Sequence, residues 1–160
     1  MAEHPILFST PMVRAILAGR KTQTRRPLKK AEAPFREHPH WRIGDVLWVR
    51  ETWKPMPDGR TGYRASPDET CVDGPFILIS NWRPSIHMPR SRARLFLHIQ
   101  DVHAQRLRDM TNADMEAEGC SAWGECPGLW DSIYADRGYS WESNPWVWVV
   151  EFRRIAPEKE

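Results

Sequence analysis

The order of the sequence patterns predicts an α+β domain with a mixed or antiparallel sheet. A strand and a helix come first, several strands follow, and two helices precede a final strand, unlike the regular strand–helix alternation of parallel α/β folds. The 160 residues suit one globular core, and no internal repeat is present. We therefore expect a single domain over residues 1–160.

The first helix is marked at both ends. An apolar run at residues 6–8 predicts a short strand, and the Ser-Thr-Pro sequence after it is typical of a helix start. Apolar residues then recur at helical spacing, and Gly19 supplies the left-handed residue that ends many helices. The helix is predicted over residues 11–18, and an extended segment follows over residues 22–26.

Three longer apolar patterns predict the main strands of the sheet. Residues 46–52 are rich in Val, Leu and Trp, residues 93–102 alternate apolar with polar side chains, and residues 146–155 alternate large apolar ones. Proline interrupts the chain repeatedly elsewhere. We expect loop excursions at residues 27–42 and 54–92.

The remaining elements are short. A small strand is predicted at residues 63–65. Thr111 and Asp114 resemble a capping box and predict a short helix that Gly119 closes, with Glu118 as its last residue. Apolar residues at helical spacing then predict a second helix over residues 127–138.

The positive charges are unevenly distributed, although the net charge is only +2. Residues 5–30 contain seven lysines and arginines and no acid, and residues 74–100 contain four arginines and no acid. Acids collect instead at residues 109–125. This asymmetry predicts a positive surface that faces an anionic partner such as a nucleotide or nucleic acid. Composition alone is equally compatible with arginines that only solvate a surface.

Hydropathy argues against a membrane protein. The longest strongly apolar run covers residues 146–150, whereas a membrane-spanning helix needs about 20 residues. The amino terminus has no basic start and no secretory-type apolar block. We expect a cytoplasmic protein without a membrane partner.

The cysteines and histidines indicate neither disulfides nor a metal. Cys71, Cys120 and Cys126 are odd in number and lack Cys-x-x-Cys spacing, so reduced thiols are expected. His38 and His40 lie in a proline-rich stretch without further ligands nearby, which is typical of an exposed loop. No metal and no cofactor are predicted.

Several separated segments resemble, in order, the ASCH superfamily of small PUA-like domains. They are ILAGRKTQTRR at residues 16–26, IGDVLWVRETW at 43–53, MEAEG at 115–119 and VWVVEFRRI at 147–155. WRPSIHMPR and LWDSIYADRGYSWESNPWVWVVEF are similar to segments of ASCH proteins from phages and bacterial genomes. The resemblance covers most of the chain and implies a mixed β-barrel with short helices packed around it.

One branch of that superfamily removes the acyl group from N4-acetylcytidine. In that branch a Gly-Arg-Lys-Thr-x-Thr segment supplies a lysine base and a threonine nucleophile, and a glutamate from a later helix donates a proton. The matching positions are Lys21, Thr24 and Glu118. The resemblance thus implies a metal-independent amidohydrolase acting on a small nucleoside or nucleobase, although residues 27–42 and 54–92 make this chain longer than members of that branch.

The charges around Lys21 suit such chemistry. A lysine can take the proton of a threonine hydroxyl only if its pKa falls from about 10.4 toward about 7. Arg20, Arg25 and Arg26 disfavour a charged amine, and burial would add desolvation. Because adjacent strand positions alternate between faces, Lys21 must lie in the turn before the strand if its amine is to reach Thr24.

Further residues are predicted to contact the substrate. Aromatic side chains beside the expected pocket, including Trp48 and Tyr63, could stack on a pyrimidine. The backbone amides of residues 19–21 and the Arg26 side chain are candidate donors to an oxyanion. The complete set of predicted substrate-binding residues is Arg20, Arg26, Trp48, Glu51, Tyr63 and Arg90.

Two alternatives to the amidohydrolase remain open. A PUA-like module could bind RNA or a modified base in the same arginine-lined cleft without chemistry, and a ribonuclease could use the same Lys and Glu to activate a ribose hydroxyl. Without the resemblance, the sequence favours a helix-end cation at Lys21 and a surface acid at Glu118. The sequence does not assign an oligomeric state.

Overall fold

The computed structural model describes residues 1–28, 40–66, 82–120 and 124–157. Its core is a five-stranded mixed sheet, accompanied by a two-stranded hairpin and three short α-helices in the described part of the chain. The elements in chain order are β1 (Glu3–Leu7), α1 (Thr10–Leu17), β2 (Gln23–Pro27), β3 (Val46–Arg50), β4 (Trp53–Pro55), β5 (Thr61–Tyr63), β6 (Phe96–Arg106), α2 (Asn112–Ala117), α3 (Glu125–Tyr134) and β7 (Trp146–Ile155).

The large sheet is open. Its strand order is β1-β3-β6-β7-β2, with β1 parallel to β3 and the other pairs antiparallel. The edge strands β1 and β2 do not pair with each other in the described residues; a side chain links them instead, as Arg26 Nη2 donates to the Leu7 carbonyl at 2.8 Å. The predicted α+β class is therefore confirmed, whereas the closed barrel implied by the resemblance is wrong.

Both faces of strand β7 are buried. Val150 and Phe152 belong to the larger core cluster, which α1 covers. Val147 and Val149, which alternate with them, pack in a second cluster with Trp130 of α3. Because neighbouring side chains of a strand point to opposite faces, the two clusters lie on opposite sides of the sheet. Helix α3 is thus positioned beside the same sheet edge that carries β2.

Helix α1 ends in a turn that places Lys21 outside the strand, as the sequence predicts. Gly19 adopts a left-handed φ of 78°. The amides of Arg20 and Lys21 then both donate to the Ala15 carbonyl, at 2.9 and 3.1 Å. Strand β2 begins only at Gln23. Lys21 therefore lies before the strand, and the alternation of side chains along β2 does not set the direction of its side chain.

Helix α2 confirms the predicted capping box and ends one residue earlier than expected. The Thr111 hydroxyl accepts from the Asp114 amide at 3.1 Å, and the Asp114 carboxylate accepts in return from the Thr111 amide at 3.0 Å. Glu118 is the residue after the helix, and Gly119 follows with a φ of 93°. A Cβ at Gly119 would lie 3.1 Å from the Ala15 Cβ, so the end of α2 packs directly on α1.

Cys120 and Cys126 form a disulfide, so the expectation of reduced thiols is wrong for this pair. The spacing of the two cysteines carried no signal of their pairing. Left-handed glycines at the end of α2 and the start of α3, Gly119 and Gly124, turn the chain so that the two helix ends meet. Cys71 lies outside the described residues.

The predicted loop excursions are only partly described. Most of residues 27–42 lies outside the described residues. Within residues 54–92, β4 and β5 form a hairpin with Trp53 opposite Tyr63, which moves the small predicted strand by two residues toward the amino terminus. Single turns of 3₁₀-helix follow at Ser85–His87 and Arg90–Arg92. No helix in the described ranges is long and apolar enough to cross a membrane.

Candidate active site

A cavity of about 360 Å³ lies where the end of β1, strand β2, the end of α2 and helix α3 meet. This volume falls within the range of small-molecule sites. The open edge of the sheet forms one side of the cavity, with Phe8 and Thr24, and helix α3 forms the opposite side, with Leu129 and Ile133. The cavity therefore depends on elements that are far apart in the sequence.

The polar wall of the cavity is built around Glu118. Lys21 Nζ donates to the Glu118 carbonyl at 2.7 Å and to Glu118 Oε2 at 3.1 Å. Arg25 Nη1 donates to Glu118 Oε1 at 2.7 Å, and its other terminal nitrogen lies 3.5 Å from the Asp114 carboxylate. One carboxylate thus bridges two buried cations. We call Lys21, Arg25 and Glu118 the cavity ion cluster.

Burial is the main cause that lowers the pKa of Lys21 below its usual value. The charge of Glu118 and its hydrogen bond act in the opposite direction, and the charges of Arg26 and Arg25 add smaller decreases. Lys21 is only 4% exposed, whereas Arg20 is exposed. The sequence therefore predicts the direction correctly, but desolvation and not the arginine cluster is the larger cause.

Thr24 lies in the same cavity wall as Lys21 and Glu118. It is buried on β2 opposite Val150, and its hydroxyl has no hydrogen-bond partner among the residues that the structure describes. The hydrogen bonds of the Lys21 amine go to Glu118. The structure thus brings the three predicted catalytic residues to one cavity, and their chemical roles remain predictions.

Arg26 is the one predicted substrate-binding residue found in the cavity lining of the described chain. Its guanidinium lies 5.2 Å from the centre of the Phe8 ring, and its Nε is buried without a hydrogen-bond partner in the described residues. The backbone amides at Gly19, Arg20 and Lys21 all donate to carbonyls of α1. Of the candidate oxyanion donors, the Arg26 side chain is therefore the one with an unengaged N–H group.

Glu51 and Tyr63 belong to a separate polar group. Glu51 is 1% exposed and accepts from Arg94 Nη2 at 2.9 Å and from Arg94 Nε at 3.1 Å. The Arg94 guanidinium lies 4.2 Å from the centre of the Tyr63 ring, and the Tyr63 hydroxyl donates to the Arg92 carbonyl at 2.6 Å. Neither predicted residue lines the cavity.

The other predicted contacts also lie apart from the cavity. Trp48 is buried in a small cluster with Val46 and Phe96, and the Arg50 guanidinium lies 4.8 Å from its ring centre. Arg90 forms a two-pronged ion pair with Glu3, at 2.5 and 2.8 Å. Arg20 is exposed and does not line the cavity either. Substrate binding by Arg20, Trp48 and Arg90 therefore stays a prediction, and the structure does not place these residues at the cavity.

The aromatic wall of the cavity comes from α3 and the segment after it, which the sequence did not single out. Trp130, Tyr134 and Trp141 line it, and the rings of Trp130 and Tyr134 are 4.3 Å apart. Trp130 Nε1 donates to the Tyr139 carbonyl at 2.6 Å, which fixes the indole. The helical spacing of Trp130 and Tyr134 was the one sequence feature that could have indicated this wall, but the same spacing is typical of a helix that faces a core. In the described chain no group of three His, Cys, Asp or Glu residues could hold a metal.

Similarity to solved structures decides the fold. The crystal structure of an ASCH domain from Lactobacillus crispatus JV V101 matches 98% of this chain and 81% of its own, with a TM-score of 0.53 and 10% identity. The chain has the ASCH fold. The crystal structure of protein EF3133 from Enterococcus faecalis V583, described under DUF984, matches 100% of this chain and 84% of its own, with a TM-score of 0.54 and 12% identity. The crystal structure of the hypothetical protein PH0355 matches 96% of this chain and 99% of its own, with a TM-score of 0.52 and 11% identity.

Sequence comparison adds nothing to this result, since no protein-family model and no curated protein matches the chain. Identities of 10–12% show the ASCH fold alone. A fold can carry unrelated activities, so the function of this ASCH-fold protein has to be argued from its cavity.

Proposed function

We propose that this ASCH-fold protein is an amidohydrolase that removes the acyl group from N4-acylated cytidine or cytosine. The observation that carries the proposal is a buried lysine whose pKa is lowered, in a cavity wall that also contains a threonine hydroxyl without a partner in the described residues. A threonine becomes a nucleophile when an adjacent base removes its proton. Lys21 and Thr24 supply these two groups.

In the first step the neutral Lys21 amine accepts the proton of Thr24 Oγ1 while that oxygen attacks the acyl carbonyl carbon. The electron pair of the carbonyl bond moves to its oxygen, near which Arg26 contributes a positive charge. To reach the threonine, the Lys21 amine exchanges one of its two hydrogen bonds on Glu118 for the hydroxyl. Catalytic hydrogen bonds often tighten only when substrate is bound.

In the second step the bond between the acyl carbon and the exocyclic nitrogen breaks, and that nitrogen takes the proton held by Lys21. Glu118 accepts hydrogen bonds from Lys21 and Arg25, so in this scheme the proton that it donates is one that Lys21 has passed to it. Water then attacks the Thr24 ester with Lys21 as base. The acid leaves and Thr24 regains its proton.

The test is the release of cytidine from N4-acetylcytidine, followed chromatographically with purified protein. We expect turnover by the parent and a loss of at least about 10³-fold in kcat for Thr24→Ala. Thr22→Ala is the matched control, because Thr22 is exposed and its backbone bonds to Ala117 and Phe152 do not need its side chain. Mass spectrometry of quenched reactions should find one acetyl group on Thr24. No turnover by the parent, or full activity of Thr24→Ala, contradicts the proposal.

A binding module without chemistry is the second candidate. It is favoured by the fact that both hydrogen bonds of Lys21 already go to Glu118, as in a purely structural ion pair. This candidate predicts no cytidine release, and RNA affinity that falls steeply as salt concentration rises. Salt-dependent RNA binding by the parent and by Thr24→Ala alike, without turnover, would support it against the enzyme.

A further inference from the structure

The cavity extends along helix α3 and has two distinct ends. Cys126, in the first turn of α3, is bonded to Cys120, which follows Glu118 by two residues, so this end lies at the cavity ion cluster. Arg137, in the 3₁₀ turn that continues α3, also lines the cavity. At about 1.5 Å per helical residue, the two ends of this wall are about 16 Å apart.

The middle of this wall is apolar and partly open to solvent. Leu129 and Ile133 lie at successive turns of α3 between the two ends. Ile133 is 52% exposed, and Leu7, which is 39% exposed, lines the same cavity. Apolar side chains exposed inside a concave site are typical of ligand contacts. A flat ring such as a pyrimidine can cover them.

The far end of the wall carries a positive charge. Arg137 is exposed, its guanidinium lies 5.9 Å from the centre of the Tyr134 ring, and it has no carboxylate partner in the described ranges. Arg26 likewise lines the cavity without a carboxylate partner there. Glu118 is the one acidic residue in the described lining and it pairs with the ion cluster, so Arg26 and Arg137 give the cavity an excess of positive charge.

We propose that the cavity takes a nucleoside 5′-phosphate, with the phosphate on Arg137, the pyrimidine on Leu129 and Ile133, and the exocyclic nitrogen at the ion cluster. The inference rests on the proposed function for the identity of the base. The order of reacting group, apolar wall and cation matches the order of amide, ring and phosphate in such a molecule. An acyl chain laid along α3 would carry no anion for Arg137.

The first experiment measures binding and does not need turnover. Calorimetry compares cytidine 5′-monophosphate with cytidine for the parent, Arg137→Gln and Arg153→Gln. Arg153 is an exposed arginine outside the cavity lining, which makes it the matched control. We expect the phosphate to strengthen binding about tenfold in the parent and in Arg153→Gln, and hardly at all in Arg137→Gln. Equal affinities in the parent, or an advantage that Arg137→Gln retains, overturn the inference.

The second experiment separates this inference from the proposed function. N4-acetylcytidine and its 5′-monophosphate are compared as substrates, and we expect a KM about tenfold lower for the phosphorylated one, with similar kcat. Arg137→Gln should raise the KM of that substrate selectively. If both are hydrolysed with equal KM, the function stands and the inference fails. If neither is hydrolysed but Arg137 still governs nucleotide affinity, the function fails and the phosphate site stands.

Discussion

Glu51 is buried and Glu118 is partly buried, and both carboxylates are paired with basic side chains, but of these two only Glu118 borders the cavity. Glu51 is held by Arg94 through two hydrogen bonds in a region that the cavity does not reach. Glu118 is shared between Lys21 and Arg25 in the cavity wall. From the sequence both glutamates are predicted site residues. An ion pair can take part in chemistry only where a small molecule can reach it, and of these two only the pair at Glu118 meets that condition.

The two groups also differ in the kind of cation. Arginine keeps its proton at any ordinary pH, so an arginine partner does not serve as a base. Lysine can lose its proton when it is desolvated, and Lys21 has a lowered pKa for that reason. In the proposed reaction the ion cluster therefore exchanges a proton with the substrate, whereas the Arg94 pair links the segment after β3 to the segment before β6.

Removing the Lys21 amine should give the largest effect on activity. For Lys21→Met we expect kcat on N4-acetylcytidine to fall about 10²- to 10⁴-fold, because the variant lacks the base that the proposed mechanism requires. Lys54→Met is the matched control, since Lys54 is also a buried lysine but does not line the cavity. Steady-state kinetics on folded protein, checked by circular dichroism, measures both. Comparable losses in the two variants would mean that the effect is structural.

Glu51→Gln should affect stability and not activity. Neutralising one partner of a buried pair leaves the Arg94 charge uncompensated, and we expect the free energy of unfolding in urea to fall by about 3 kcal/mol. The kcat per folded molecule should stay at the parent value. If the variant keeps its stability but binds substrate poorly, this expectation is wrong and Glu51 binds substrate, as the sequence predicts.

The disulfide should stabilise the cavity side of the molecule. Replacing Cys120 and Cys126 together by alanine is expected to lower the free energy of unfolding by about 2 kcal/mol, because a short loop is no longer closed in the unfolded chain. It should also lower kcat/KM, since Cys120 follows Glu118 closely. Thiol titration in denaturant without reductant should detect one of the three cysteines. Three reactive thiols in protein purified under oxidising conditions would contradict the pairing.

The smallest effect is expected in the pH dependence. The reaction needs a neutral Lys21, whose pKa is lowered by burial, so kcat/KM should rise with pH and level off below the ordinary lysine value of about 10.4. Arg25 lowers that pKa by its charge and competes for Glu118. Arg25→Gln should therefore move the rising limb to higher pH and reduce kcat/KM at neutral pH several-fold. A shift to lower pH would contradict this assignment.

Local patterns predict the helices and strands well. The alternation at residues 146–155 matches β7 because both faces of that strand are buried, and the Thr111 capping box marks the start of α2 because it depends on four adjacent residues. The turn after Gly19, which places Lys21, is also readable from a single glycine. These features depend on neighbours in the chain, and the sequence shows them directly.

The rest of the site depends on contacts between distant segments. Helical spacing identifies the buried side of α3, but it does not show that Ile133 faces a cavity and not a core. The strand predicted at residues 46–52 is expected to contribute Trp48 and Glu51 to the pocket, but in the structure Trp48 contacts Arg50 and Glu51 pairs with Arg94 outside the cavity. The pairing of Cys120 with Cys126 follows from where two helices end, which their spacing does not reveal.

The hydrogen bond from the Arg26 side chain to the Leu7 carbonyl links β2 to β1, whereas neighbouring strands elsewhere in the sheet are joined by rows of backbone hydrogen bonds. Among the described residues, no amide-to-carbonyl pairing joins the strand that carries Thr24 to the strand that ends at Leu7. Side chains hold this junction instead: the Arg26 guanidinium also lies 5.2 Å from the centre of the Phe8 ring, and Phe8 packs with Phe152 in the larger core cluster.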